Sequence, residues 1–412
     1  MNLLSYQTLV ESPFVIVNIG GYTFGHCSKI SDRSRLGETL RVTYPNFMQS
    51  LNVIKINGTV NTYTIKMVYA IKQGDDPNLL ERIFSTVSSN RKILISYGDW
   101  ESPSFIYKEE EALLTKVQSD VDFSGATITY TLSCVSSTMA LKSGKFDFPM
   151  RVAKPSDVIR EMLSNKRYGL SDIFYGMRDM TNIEKQGLIL GDDKSVTIEA
   201  QHGISTLDYL NYLVGCMQPS TMTSQSPISS TRYYLSIVDD IRNAFGGPYF
   251  KIIKIDTDAD VVAPDTFEVD VGFPGNNFVQ SFSLTDNEQW SILYDLSQSM
   301  GHSEYVYKLD NQGNMTTEYS PNITTSNRLM RTTAIDKAWW SKVTQFPRTA
   351  SLTIKGLVRP SILMSNVKVN VYFYGQKFIA SGTYIITRQF DTVDFNGYRT
   401  TLTLTRIKGD NL

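Results

Sequence analysis

Histidine and cysteine are both scarce, with three of each in 412 residues. His26, His202 and His302 have no second His or Cys at zinc-ligand spacing, so neither a structural nor a catalytic zinc site is expected. Cys27, Cys134 and Cys216 are odd in number and far apart, which argues against a disulfide framework and fits a reducing compartment. Long apolar runs are missing too, and a stretch such as 14–17 falls far short of a bilayer span. The opening Met1-Asn2-Leu3-Leu4-Ser5 has no basic segment followed by an apolar core and does not read as a secretion signal. Neither sign of charge dominates: 40 Lys and Arg face 41 Asp and Glu, a formal net charge of −1. A sequence-independent grip on nucleic acid therefore has no basic field to rest on.

Motifs that carry chemistry are equally thin. Gly20 and Gly21 fit a hairpin and lack the Lys-Ser/Thr that a phosphate cradle needs. Asp256, Asp258 and Asp260 imitate the start of a calcium loop. Val261 then stands where the sharp turn requires Gly, and Phe267 where a bidentate ligand is needed. Glu109, Glu110 and Glu111 are consecutive on a predicted strand and alternate in direction, so they cannot form the opposed carboxylate pair of a glycosidase. They read as a solvated or lumen-facing patch, and Lys142, Lys145 and Arg151 as surface residues. The sequons at Asn57, Asn314 and Asn322 carry no weight without a secretion signal. No catalytic, cofactor-binding or metal-binding residue is predicted.

What the chain does have is β texture: 23 Tyr and 20 Phe among abundant Thr, Ser and Asn. One segment occurs twice. Residues 121–132 read VDFSGATITYTL and residues 393–404 read VDFNGYRTTLTL, each a strand end, a Gly-bearing turn and an alternating Thr/apolar strand. Upstream of each copy lies a second shared piece, YTIKMV at 63–68 and LTIKGL at 352–357. Convergent turn chemistry would produce similar hairpins; the common order of both pieces favours duplication.

Around these copies the chain divides into four parts, a number its length allows. Residues 1–148 are expected to form a first β-barrel, with strands near 14–24, 51–71, 92–97, 104–118 and 126–136 and a plugging helix at 77–88 opened by Asp76-Pro77. Cys134 shares a strand face with Leu132 and Tyr130 and reads as a buried small hydrophobe. Residues 149–260 read as an inserted α/β domain, with helices at 154–163 and 205–214 and strands at 233–238 and 249–255. The second helix carries a capping-box pattern in Ser205 and Asp208. Residues 218–230 read as an exposed loop. Residues 261–348 form a second insertion or linker, with a strand at 278–284, loop over 316–331, and a short helix at 334–343 containing Trp339 and Trp340. Residues 349–412 form a second β-barrel. The fold class is mainly β with an α+β insertion, two tandem barrels flanking an α/β region.

The C-terminal series Thr349–Pro360, then 367–374, then Ala380-Ser-Gly-Thr-Tyr-Ile-Ile-Thr387, then 394–404, resembles the closing barrel of tailed-bacteriophage baseplate (tail) hub proteins, the family of the T4-type central hub. The resemblance implies a structural protein and not an enzyme: a homotrimeric ring in which two barrels per chain make six around a channel. Its implied partners are further copies of itself, the tail tube or distal tube protein, the central spike, the tape measure protein, surrounding wedge proteins, and DNA passing transiently through the lumen. The implied location is the virion tail, assembled in the host cytoplasm, and no cofactor is implied. Lumen or ring contacts are expected on unpaired sheet edges of the two barrels, along 51–71 and 121–136 in the first and 366–374 and 383–406 in the second. Two other classes share this composition, a tail-tip peptidoglycan-degrading enzyme and a β-rich adhesin.

Overall fold

A computed structural model describes residues 13–27, 44–45, 47–86, 92–99, 107–178, 187–220, 231–256, 267–272, 279–286, 305–309, 315–319, 348–356, 363–378 and 380–409. His302, the predicted helix at 334–343, most of the 218–230 loop, the tail of the Asp256–Asp260 run, and Asn314 and Asn322 lie outside these residues.

The N-terminal strands are β1 (Pro13–Ile19), β2 (Tyr22–Cys27), β3 (Tyr44–Pro45), β4 (Met48–Ile56) and β5 (Thr62–Ala70). Helix α1 (Leu79–Thr86) follows, then β6 (Lys92–Asp99), β7 (Tyr107–Asp122) and β8 (Thr127–Ser136). Alternation is strict where the sequence alternates: on β8 every second residue, Cys134 among them, is buried. The apolar face of α1, Leu80, Ile83 and Phe84, enters the same core as β1, β4, β5 and β8. The Phe84 ring lies 5.3 Å from that of Tyr130 and 6.5 Å from that of Phe24.

The insertion contains α2 (Ala140–Ser143), β9 (Phe146–Phe148), β10 (Arg151–Ala153), α3 (Pro155–Ser164), α4 (Leu170–Ile173), β11 (Val196–Ile198) and β12 (Gln201–Ile204). It ends with α5 (Thr206–Cys216), β13 (Thr231–Val238) and β14 (Tyr249–Asp256). Ser205 caps α5: its hydroxyl accepts from the Asp208 amide at 3.1 Å and donates to the Asp208 carboxylate at 2.6 Å. The insertion has its own core, in which the Phe148 and Tyr209 rings stack at 3.6 Å.

The remaining strands are β15 (Phe267–Val271), β16 (Val279–Asp286), β17 (Tyr305–Leu309), β18 (Met315–Tyr319), β19 (Arg348–Lys355), β20 (Asn366–Phe373), β21 (Gln376–Lys377), β22 (Gly382–Asp394) and β23 (Gly397–Gly409). β18 replaces the start of the loop expected over 316–331, because it pairs with β17.

Fifteen of these strands form one sheet, mostly antiparallel, in the order β16-β19-β23-β22-β4-β5-β8-β7-β6-β1-β2-β3, with β15, β20 and β21 attached beside β22. Within it lie two six-strand sets of the same order, β4-β5-β8-β7-β6-β1 and β16-β19-β23-β22-β20-β15. The irregularities repeat as well. A bulge interrupts β7 between Leu114 and Lys116 and β22 between Ile386 and Arg388. At both bulges a threonine donates across the hairpin, Thr115 to the Ser133 carbonyl at 2.8 Å and Thr387 to the Thr403 carbonyl at 3.1 Å. Register also shifts between Met48 and Ser50 of β4, and between Val279 and Ser281 of β16, leaving Gln49 and Gln280 in equivalent places. The sets differ in their sixth strand, since β1 is antiparallel to β6 and β15 is parallel to β20. No ladder closes either set among the described residues. The two sets are continuous through pairing of β22 with β4.

The shared hairpin is not superimposable residue by residue with the sequence alignment. Val121 pairs with Ile128 across a four-residue loop, whereas Val393 pairs with Tyr398 across a two-residue loop. Ile128 therefore corresponds to Tyr398, two positions from its aligned residue. Ile65, opposite Leu132, likewise corresponds to Leu352, opposite Leu402. A slide of two keeps each side chain on its own face, so alternation alone does not register it.

Gly356 closes the C-terminal set where no side chain fits. Its amide donates to the Tyr398 carbonyl at 2.7 Å, and a Cβ would stand 2.1 Å from the Tyr398 ring. Gly356→Ala is expected to displace that ring and to lower stability by about 1–3 kcal/mol, read from thermal or denaturant unfolding.

Candidate functional site

Charged side chains are buried where three parts of the chain meet, and they come from strands whose alternating pattern points them inward. On β7, Lys108 and Glu110 share a face with Ala112 and Leu114, and both are fully buried. The Lys108 ammonium donates to the Asp391 carboxylate and to the Tyr398 hydroxyl, each at 3.0 Å. It also lies 5.4 Å from the Tyr97 ring centre and 5.7 Å from that of Tyr398. Asp391 further accepts from Gln389 at 2.7 Å and from the Thr400 hydroxyl at 2.6 Å. Glu110 accepts from Lys55, from the Tyr63 hydroxyl at 2.7 Å and from the Tyr97 hydroxyl at 3.0 Å.

The insertion adds its own acids. Asn61 donates to Asp239 at 2.5 Å, and Asp240 accepts from the Glu109 amide at 3.0 Å. The Ile241 amide donates to the Glu109 carbonyl at 2.8 Å. Glu110 is thus held among Lys55 of β4, Tyr63 of β5 and Tyr97 of β6, with Asp391 of β22 bound to the neighbouring Lys108. The expectation of a solvated or lumen-facing acidic patch at 109–111 is corrected at Glu110: it faces the core, where cations and phenols arrive from other strands.

These contacts set the protonation states. Burial disfavours the Lys55 charge, yet Glu110 and Asp391 outweigh it and hold Lys55 above its ordinary value. Burial likewise raises the Glu110 carboxyl, but Lys55 and the Tyr63 hydroxyl bring it below. At Lys108 burial prevails over Asp391 and lowers the value. Asp239 is pushed up to about 6 by burial and by the charge of Glu110. The hydrogen bonds of Lys55, Lys108 and Glu110 join strands, while Gln389 binds Asp391 along β22 and its amide oxygen is buried without a partner. Among the described residues, no group of three His, Cys, Asp or Glu side chains is placed to hold a metal ion. His202 lies on the surface, 3.4 Å from Asp147.

The strands expected to offer free edges are mostly interior. β4, β5, β8, β22 and β23 each have a strand on both sides, and β20 lies between β15 and β22. What projects instead are hairpin tips. Phe123 is 91% exposed and Phe395 65% exposed, one on each copy of the repeated hairpin. Asp122 accepts from the Ser124 and Gly125 amides at 3.0 and 3.2 Å, and Asp394 accepts from the Asn396 amide at 2.7 Å. These side-chain turns organise the two tips. A third tip carries Phe373 and Tyr374, the latter 95% exposed. The shared VDF already marked the first two; no periodicity marked Lys108, Asp391 or Asp239, because their partners are remote in sequence.

Lys108→Met strands a buried Asp391 and is expected to cost about 3–5 kcal/mol of stability. Lys108→Met combined with Asp391→Leu is expected to cost less than the two single changes summed, with a coupling of about 1–3 kcal/mol in a double-mutant cycle. Asp239 retains a proton in the folded state from about pH 4 to 6, where the unfolded chain has released it, so its contribution to stability falls as pH rises through that window. Asp239→Asn keeps an acceptor for Asn61 and removes that loss. It is expected to be more stable than the parent by roughly 2 kcal/mol at pH 7.5 and to lose this advantage near pH 4, in unfolding curves at both pH values.

No family model and no characterised protein sequence matches the chain. By structure, 96% of the chain is similar to 96% of a tail protein from Neisseria meningitidis MC58, at 8% identity and a TM-score of 0.50. A further 43 kDa tail protein, of prophage MuSo2 from Shewanella oneidensis, is similar over 95% of this chain and 96% of its own, at 10% identity and a TM-score of 0.49. At such low identity, the likeness to the Neisseria protein is one of fold: a mainly β chain with few helices, followed from end to end.

Proposed function

We propose that the chain is a structural baseplate hub of a bacteriophage tail, acting mechanically and without catalysis. Three copies form a ring in which the two six-strand sets of each chain curl into barrels, giving six similar units around a channel. In each set the two strands at the ends of the spatial order stand near one another in the chain, β1 before β4 with only β2 and β3 named between them and β15 before β16, an order that favours the curl. The observation that carries the reading is the repeat itself: two sets of one strand order, bulged at the same points, side by side in one polypeptide. Three such chains present sixfold-like symmetry on one face while retaining threefold symmetry, which joins a sixfold tube to a threefold spike.

The fold likeness to a protein described as a tail protein supports the same assignment. Tube or distal tube protein, central spike, tape measure protein and wedge proteins are the proposed partners, with DNA passing transiently. The formal charge of −1 suits a conduit that releases DNA instead of holding it. The proposed division is a first barrel at 1–148, an α/β insertion at 149–260, a second insertion at 261–348 and a second barrel at 349–412, to which the 261–348 segment lends β15 and β16.

Light scattering of the purified chain at tens of micromolar is expected to give a trimer, and negative-stain images a ring with a central opening. A monomer at every concentration, or an assembly without threefold symmetry, contradicts the hub reading.

A further inference from the structure

Among the described residues, one ladder joins the two strand sets of the chain, and the strand edges that make it have counterparts that meet no strand. β22 gives its first half to β20, over Asn366–Ile385 pairs, and its second half to β4. β7 corresponds to β22 through the shared bulge and hairpin. Its first half pairs with β6 as far as Leu113, but beyond the bulge the edge away from β8 meets no strand among the described residues. β4 corresponds to β16 through Gln49 and Gln280. β16 pairs with β19 on one side and, among the described residues, ends the sheet on the other.

We propose that residues 116–122 of β7 pair antiparallel with β16 of a second copy of this chain, repeating between chains the ladder that β22 and β4 make within one. The proposal rests on the ring reading and names its contact. The register follows from the internal ladder, in which Asp394 lies opposite Ser50, Val393 opposite Leu51 and Asp391 opposite Val53. Carried through the repeat, Asp122 lies opposite Ser281, Val121 opposite Phe282 and Ser119 opposite Leu284 of the neighbour.

Exposure supports this register. Val393, covered by its ladder, is 1% exposed, whereas its counterpart Val121 is 51% exposed. The matching partners, Leu51 on β4 and Phe282 on β16, are both large and apolar, and Phe282 is only partly covered. An unpaired strand edge with an exposed apolar residue invites strand addition. A second copy is the occupant because it brings the complementary edge: among the described residues each chain leaves one edge of the second half of β7 and one edge of β16 without a strand, so every chain both gives and receives. Such a head-to-tail contact closes into a ring when the rotation allows.

The test uses the full chain with Val121→Cys and Phe282→Cys together, oxidised and run without reductant beside each single variant and the parent. Covalent dimers and closed trimers from the double variant alone are the expected result, together with slowed amide exchange at 116–122 and 279–286 in the assembled protein. Val121→Lys, at an exposed position that leaves folding intact, is expected to weaken assembly more than about tenfold in concentration-dependent light scattering. A trimer that gives no cross-link, shows no added protection at these segments and ignores Val121→Lys overturns the ladder while leaving the ring. Open cross-linked chains that never close support the ladder and contradict the threefold ring. A monomer throughout overturns both.

Discussion

Two lysines and two carboxylates are withdrawn from water at the centre of this molecule: Lys55 with Glu110, and Lys108 with Asp391. Removing such charges from solvent costs several kcal/mol each, and only well-placed opposite charges and hydrogen bonds offset that cost. The required partners lie far apart in the chain; Lys108 and Asp391 are separated by 283 positions. Lys55 and Glu110 pair within the N-terminal set, whereas Lys108 and Asp391 can be buried only with both sets in place. Asp239 and Asp240, supplied by the insertion, are built against the same centre. The junction therefore ties both strand sets to the insertion, beside apolar contacts in which Val393 and Tyr398 enter the N-terminal core and Ile255 packs with Met364 and Ile385.

The Asp391 side of this junction has no charged counterpart in the N-terminal hairpin. The positions matching Asp391, Gln389 and Tyr398 of the C-terminal hairpin are Ser119, Val117 and Ile128 of the N-terminal one. This asymmetry has a physical logic. A contact within a chain forms once, during folding, and its ions need never return to water. A contact between chains is solvated before assembly, and the uncharged Val117 and Ser119 cost less to withdraw from water on docking than an ammonium or a carboxylate at those positions. The protein thus has one junction stiffened by ion pairs and a counterpart edge suited to docking.

Much of the architecture was legible residue by residue. Alternation on 63–71 and 126–136 placed β5 and β8, Asp76-Pro77 placed α1, and Ser205 with Asp208 placed the start of α5. The repeated VDF located two equivalent hairpins and their exposed phenylalanines. The Gln-Ser pair shared by β4 and β16 was present in the sequence but went unread, because two residues in common are no signal until bulged pairing sets them in register. Glu110 was misjudged for a related reason. Three consecutive acids look like a wet surface, and only the arrival of Lys55, Tyr63 and Tyr97 makes a buried carboxylate tolerable.

The sequence by itself determined where the long alternating strands of the two sets run, which face of each is apolar, and where α1, α3 and α5 begin. Tertiary structure alone decided which strand lies beside which, and with what register. The reason is the period of the strand: side chains repeat every two residues, so a pattern specifies a face but is blind to a slide of two. Choosing among those slides took the length of a hairpin loop, the position of a bulge and the charge waiting on a strand hundreds of residues away.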